Sequence, residues 1–197
     1  MLNIESFEIV AIDTVPSTKR RIPTGPHNFG GAGSWVGRPI LLGIRAGGLT
    51  GWGLVRPINP FVGETASAMF HALRDFYGPL LLGRNALQIE SLLRACENHL
   101  PANPAALAVL DMALHDLVGR ALGVPVHVLL GGACKERIPL EWSVGLADEL
   151  TMARESASVV EKHEVPYVCV KVGPADGVKT DIKILKAIRK AIGPDIH

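Results

Sequence analysis

The sequence predicts a small α+β domain followed by the beginning of a β/α domain. Three observations carry that expectation. Residues 4–55 hold β-rich stretches around a glycine hairpin, and residues 66–122 show three apolar stripes at helical spacing. After Pro139 the grammar changes to strand, helix, strand, helix with short connections, the pattern of a parallel sheet with crossovers.

The elements follow in order. Residues 4–15 are rich in Ile, Val and Phe, which suit a pleated, half-buried surface. The polar, glycine-bearing stretch 16–37 cannot form a packed element by itself. Ile40, Leu42 and Ile44 alternate as one face of a strand, and Gly47-Gly48 supplies a tight hairpin turn. Gly51 and Gly53, on either side of Trp52, suggest a backbone that another element approaches closely. In the first helix Ala66, Met69, Phe70, Leu73 and Phe76 mark one face. In the second, Asn85 is the expected N-cap with Gln88 as its reciprocal partner, and Ile89, Leu92, Leu93 and Cys96 form the stripe. In the third, Asn103 caps and Pro104 takes the first position. Ala106, Leu110, Ala113, Leu114, Leu117 and Ala121 line one side, and Gly123 and Pro125 end it. Leu140–Val144 and Tyr167–Val172 then read as strands, Leu150–Lys162 and Val178–Ile192 as helices. The division falls at residues 1–125 and 126–197. Two strands cannot close a barrel, which needs about 250 residues in its eight-stranded form, so the second domain is expected to be incomplete.

Composition narrows the function classes. The chain has 197 residues, enough for a sizeable core, and is 48% hydrophobic and 20% charged, as ordinary globular proteins are. A net charge of +1 gives no footprint for nucleic acid or an anionic membrane, and Lys19-Arg20-Arg21 reads as a solvated loop. No apolar run approaches the ~18 residues of a membrane helix, and Met1–Glu5 shows no secretion leader. Cys96, Cys134 and Cys169 are odd in number and lack C-x-x-C spacing, which argues against a disulfide framework or zinc site and for a reducing cytoplasm. Gly31-Ala32-Gly33 lacks the third glycine and the context of a dinucleotide fingerprint. No histidine pair has zinc spacing, and no G-x-S-x-G elbow is present.

Three ordered motifs carry a resemblance. Leu110-Asp111-Met112-Ala113-Leu114-His115-Asp116, with Gly123-Val124-Pro125 and Leu129-Leu130-Gly131-Gly132, is similar to an Ala-rich A-x-D-x-A-L-x-D helix followed by G-x-P and L-L-G-G. Leu49-Thr50-Gly51-Trp52-Gly53 looks like a G-x-x-G-W-G-E hairpin, and Val170-Lys171-Val172-Gly173 like a K-x-K-x-G strand. Together they resemble the mandelate racemase and muconate-lactonizing family of the enolase superfamily, over essentially the whole chain. The resemblance implies an α+β capping domain followed by the first strands and helices of a (β/α) TIM-type barrel. It also implies abstraction of a proton α to a carboxylate, with the enolate held on Mg²⁺, in a cycloisomerase, racemase or dehydratase. The substrate would be a small carboxylate and the protein a homo-oligomer. Two positions depart from the pattern: Leu54 replaces the glutamate of the hairpin, and Cys169 replaces the first lysine of the strand. The family's metal-binding carboxylates lie on the next three barrel strands, so no metal ligand is expected among these residues. The 197-residue chain is expected to be a truncated, inactive form of its parent.

Within that resemblance Lys171 is the candidate base. Alternation turns Tyr167, Cys169 and Lys171 to one face and Val168, Val170 and Val172 to the other, beneath the helices. A lysine turned into a barrel is costly to desolvate unless it sits at the catalytic mouth, at the C-terminal end of its strand. The alternative is a lysine reaching out to solvent. Cys169 stands at a catalytic position of the family, or acts as a small buried hydrophobe. Residues 16–37 look like the family's specificity loop, with His27, Asn28, Phe29 and Trp35 as candidate substrate contacts or as members of a solvated loop. His115, Asp111 and Asp116 read as a polar helix face meeting solvent or a neighbouring element. A rival from another class is a non-catalytic remnant or interaction module built on the capping domain.

Overall fold

The computed structural model of the chain describes residues 1–13, 21–22, 25–26, 37–57, 63–173 and 177–197. It divides into two compact units: Met1–Val15 with Asn28–Cys134, and Pro16–His27 with Lys135–His197. Among the described residues no helix is long and apolar enough to cross a membrane.

The first unit is a three-stranded antiparallel sheet covered on one face by helices. Strands β1 (Ile4–Ala11), β4 (Ile40–Ala46) and β5 (Leu49–Val55) lie in the order β1-β4-β5. The alternation in β4 works as expected: Ile40, Leu42, Ile44 and Ala46 are fully buried. Gly47 and Gly48 make the two-residue turn with φ of 57° and 75°, values that only glycine adopts without strain. The helices are α1 (Ala66–His71), a π-helical segment (Ala72–Tyr77), α2 (Gly78–Leu81), α3 (Ile89–His99), α4 (Pro104–Leu122) and α5 (Val126–Leu129). The close approach expected at Gly51 and Gly53 is made by α4. A Cβ on Gly51 would lie 2.3 Å from the Ala113 carbonyl, and one on Gly53 would lie 2.1 Å from that of Val109. Helix α4 therefore sits directly on the backbone of β5, and its Val109, Leu110, Ala113, Leu114 and Leu117 join β4, Met69, Leu73, Leu92 and Cys96 in one core.

Three local expectations are corrected here. Phe76 is 42% exposed, and Tyr77 takes its place in the core, donating its hydroxyl hydrogen to the Leu100 carbonyl at 2.9 Å. The π-helical turn is wider than an α-turn, so it rotates the apolar face by one residue. Asn85 does not cap α3, which starts at Ile89. Its Oδ1 accepts from the backbone N–H of Leu87 (3.2 Å) and Leu2 (3.1 Å), a local turn that competes with helix capping. Asn103 precedes α4 as expected but donates its amide to the Pro101 carbonyl at 2.9 Å. The cap is the buried carboxylate of Glu64, which accepts from the N–H groups of Ala105 and Ala106.

The second unit contains strand β6 (Glu141–Val144), helix α6 (Glu149–His163), strand β7 (Tyr167–Val170) and helix α7 (Val178–Ile192). Strands β6 and β7 pair in parallel, Glu141 opposite Tyr167 through Val144 opposite Val170. Asp148 caps α6 by accepting from the Thr151 N–H and hydroxyl. Val144, Met152, Ile184 and Ile188 form the core, with Trp142, Val168 and Val170 packed against it. Two short strands in the 16–37 stretch, β2 (Arg21–Ile22) and β3 (Gly25–Pro26), pair antiparallel and are grouped with this unit. Beside β7, Val168 N–H donates to the His197 carbonyl at 2.7 Å, and His197 N–H donates to that of Pro166 at 3.0 Å.

Candidate functional site

Strand alternation decides which side chains the β6–β7 pair presents. Trp142 and Val168 are register partners and both pack on the helix side, as does Val170. Ser143 and Cys169 are the next partners, so both belong to the opposite face, which Lys171 extends by the same alternation. The division expected for β7 thus holds for Val168 and Val170. Val172 is 45% exposed, because regular pairing ends before it.

Lys171 lies immediately past the C-terminal end of β7. Its N–H donates to the Val144 carbonyl at 3.1 Å, so its backbone is still tied to β6. Its half-buried Nζ donates to Cys169 Sγ at 3.7 Å. Lys171 and Cys169 are thus brought together, with Ser143 beside Cys169 on the neighbouring strand. Sequence reasoning did not single out Ser143. Its parallel register with Cys169 is the signal, and register is a property of the pair of strands. Two residues beyond Lys171, the Gly173 N–H donates to both oxygens of Asp181, at 3.0 and 3.2 Å. Asp181 stands in the first turn of α7.

The other candidates fall elsewhere. His27, Asn28, Phe29 and Trp35 lie outside the described residues. His115 pairs with Asp111 one turn earlier, Nδ1 to Oδ1 at 2.8 Å. Asp116 accepts from the Trp52 N–H at 2.8 Å and from Arg120 Nε at 2.9 Å. Strand β5 is an edge of its sheet, so Asp116 satisfies an outward backbone donor there and ties α4 to the hairpin. All three thus find partners within the first unit. Among the described residues no three His, Cys, Asp or Glu groups come together to hold a cation.

Comparison with known proteins identifies the family. Residues 15–131 match the family model described as mandelate racemase / muconate lactonizing enzyme, N-terminal domain. The chain is 33% identical to the N-succinyl-L-Arg/Lys racemase of Bacillus cereus over 149 residues, which is 76% of this chain and 40% of that protein. It is also 33% identical to muconate cycloisomerase 1 of Rhodococcus opacus over 199 residues, 98% of this chain and 51% of that one. The crystal structure of the Bacillus cereus racemase superposes with a TM-score of 0.88 at 28% identity, covering 99% of this chain and 50% of that chain. A dipeptide epimerase from Enterococcus faecalis, crystallised with Mg and L-Leu-L-Tyr, superposes at 0.87 with 25% identity over 99% of this chain and 52% of its own. The chain spans about half the length of the curated relatives it matches. With a family model covering more than half its residues, and motifs, helices and hairpin in the matching order, the chain belongs to the mandelate racemase and muconate-lactonizing enzyme family of the enolase superfamily.

Proposed function

We propose that this polypeptide is the capping domain (residues 1–125) and the first strands and helices of the (β/α) barrel (residues 126–197) of an enzyme that abstracts a proton α to a carboxylate. Lys171 is the base. The observation that carries this reading is its position at the C-terminal end of a parallel strand, on the face turned away from the helices. Barrel enzymes build their sites at that end. There the amine is anchored through its backbone to β6 and through Nζ to Cys169, which fixes its approach to a substrate carbon. Cys169 orients the amine but carries no fixed positive charge toward a substrate carboxylate, which favours chemistry with a single base on this strand over chemistry assisted by a second lysine here.

His27, Asn28, Phe29 and Trp35 are proposed to meet the substrate. What supports this is the resemblance of residues 16–37 to the specificity loop of the family. The substrate class is a small carboxylate. Relatives racemise N-succinyl arginine and lysine, epimerise dipeptides or cycloisomerise muconate. Among the described residues no three His, Cys, Asp or Glu groups form a cation site. In this reading the ligands of Mg²⁺ come from further carboxylates, and the 197 residues alone do not turn over substrate.

The test is turnover of N-succinyl amino acids, hydrophobic dipeptides and muconate by a polypeptide that continues the chain past His197. Lys171→Ala is expected to lower kcat/KM about a thousandfold with the fold intact. Retention of more than about a tenth of the turnover shows that another group is the base.

A further inference from the structure

The geometry points to Asp181 as the residue that positions Lys171, an inference that rests on the reading of Lys171 as the base. The backbone around Lys171 is held on both sides. Before the side chain, the Lys171 N–H donates to the Val144 carbonyl of β6. After it, the chain leaves the sheet. Gly173 turns into the left-handed region with φ of 94°, and its N–H is taken by both oxygens of the Asp181 carboxylate. Nothing else among the described contacts ties down this exit.

Asp181 is itself well placed to act as an anchor. It lies in the first turn of α7, and the buried Ile184 and Ile188 of that helix pack in the core that Val168 and Val170 join from the other side of the strand. The carboxylate therefore transfers the rigidity of a packed helix to the strand end that carries the amine. With the anchor removed, residues 172 and 173 are free to rotate, and the Cα–Cβ direction of Lys171 is no longer fixed on its C-terminal side. A displacement near 1 Å is enough to cost a base about a hundredfold in rate.

The competing role for an aspartate at this place is purely structural: its negative charge favours the N-terminal end of α7. The two roles separate by chemistry. The helix-end effect needs charge, so Asp181→Asn and Asp181→Ala lose it equally. Positioning needs only an acceptor for the Gly173 N–H, which Asn retains and Ala does not.

The readout is the rate at which Lys171 in the folded 197-residue chain is acylated by an amine reagent, measured by peptide mass spectrometry. Lys183 and Lys186 on the same helix serve as internal references. Asp181→Ala is expected to change the Lys171 ratio by about threefold or more, while Asp181→Asn stays near the parent value. Equal ratios in all three proteins, or equal changes in both variants, overturn the proposal. If the Ala variant does not fold, Gly173 amide exchange in the parent decides the question. It is expected to be slowed at least about tenfold relative to an open loop, and exchange at the open-loop rate overturns the assignment. Each result stands whether or not Lys171 proves to be the base, which the turnover assay of Lys171→Ala decides separately.

Discussion

Cys96 and Tyr77 show how one buried neighbourhood sets the chemistry of single residues. Both side chains are fully buried in the first unit. Burial pushes the Cys96 thiol up to about 12, against a smaller opposing pull from the Arg84 charge. Burial also pushes the Tyr77 hydroxyl up to about 12, with added repulsion from Cys96, Glu64 and Glu97. Each group is held neutral in the fold and ionises more easily once unfolded. Their stabilisation is therefore complete below the unfolded values, about 8.5 for a thiol and about 10 for a phenol. It is lost as pH rises from there toward 12. The melting temperature is expected to fall over this window, and Cys96→Ala to make that fall shallower, whatever the cavity does to stability at neutral pH. An unchanged alkaline slope in the variant removes Cys96 from the account. By the same logic Cys134, which is exposed, should react with a thiol reagent in the native chain while Cys96 reacts only on unfolding.

The decisive element is α4, and its N-terminal end is secured by a residue distant in sequence. Glu64, rather than the adjacent Asn103, satisfies the first N–H groups of the helix. Glu64→Ala would leave those donors facing a buried space without an acceptor, and is expected to cost about 1–2 kcal/mol in urea unfolding. Asn103→Ala should cost clearly less, since its side chain makes no cap bond. The opposite ordering would mean that the helix is capped as local sequence suggests. The contact of α4 with β5 is more demanding still. A methyl group on Gly53 would overlap the Val109 carbonyl, which is backbone and cannot swing aside. Gly53→Ala is therefore expected to destabilise the chain by about 3 kcal/mol or more, because the whole helix must lift. Gly48→Ala meets no neighbour within 4 Å, and its smaller cost should come from its positive φ alone.

At the scale of the whole molecule, the second unit exposes much apolar surface. An open groove of about 750 Å³ lies between β7 and α7, its apolar lining (Val168, Val170, Ile182 and Leu185 among others) rimmed by Lys186, Arg189, Lys190 and His197. Val178 on α7 and Leu150 on α6 are also largely exposed. Surfaces of this kind attract a covering partner, and the 197-residue chain is expected to self-associate at micromolar concentration. Sedimentation velocity giving a single monomer peak across that range would count against association.

The sequence by itself determined the order and type of the elements: the glycine hairpin, three helices with apolar stripes, then strand and helix in alternation. It did so because hydrophobic period and turn chemistry are local properties. It also predicted the packing sides of Val168 and Val170, since strand alternation is fixed by backbone geometry. The same local rules failed where a wide helical turn or a competing hydrogen bond intervened. Phe76 lost its core place to Tyr77 when a wide turn shifted the helix face, and Asn85 was drawn to Leu2 and Leu87 instead of starting a helix. Glu64 became a cap from 41 residues away, Ser143 became the neighbour of Cys169, and Asp181 became the anchor behind Lys171. Only the tertiary structure decided these, because a hydrogen bond or a strand register forms between segments whose distance in sequence says nothing of their distance in space.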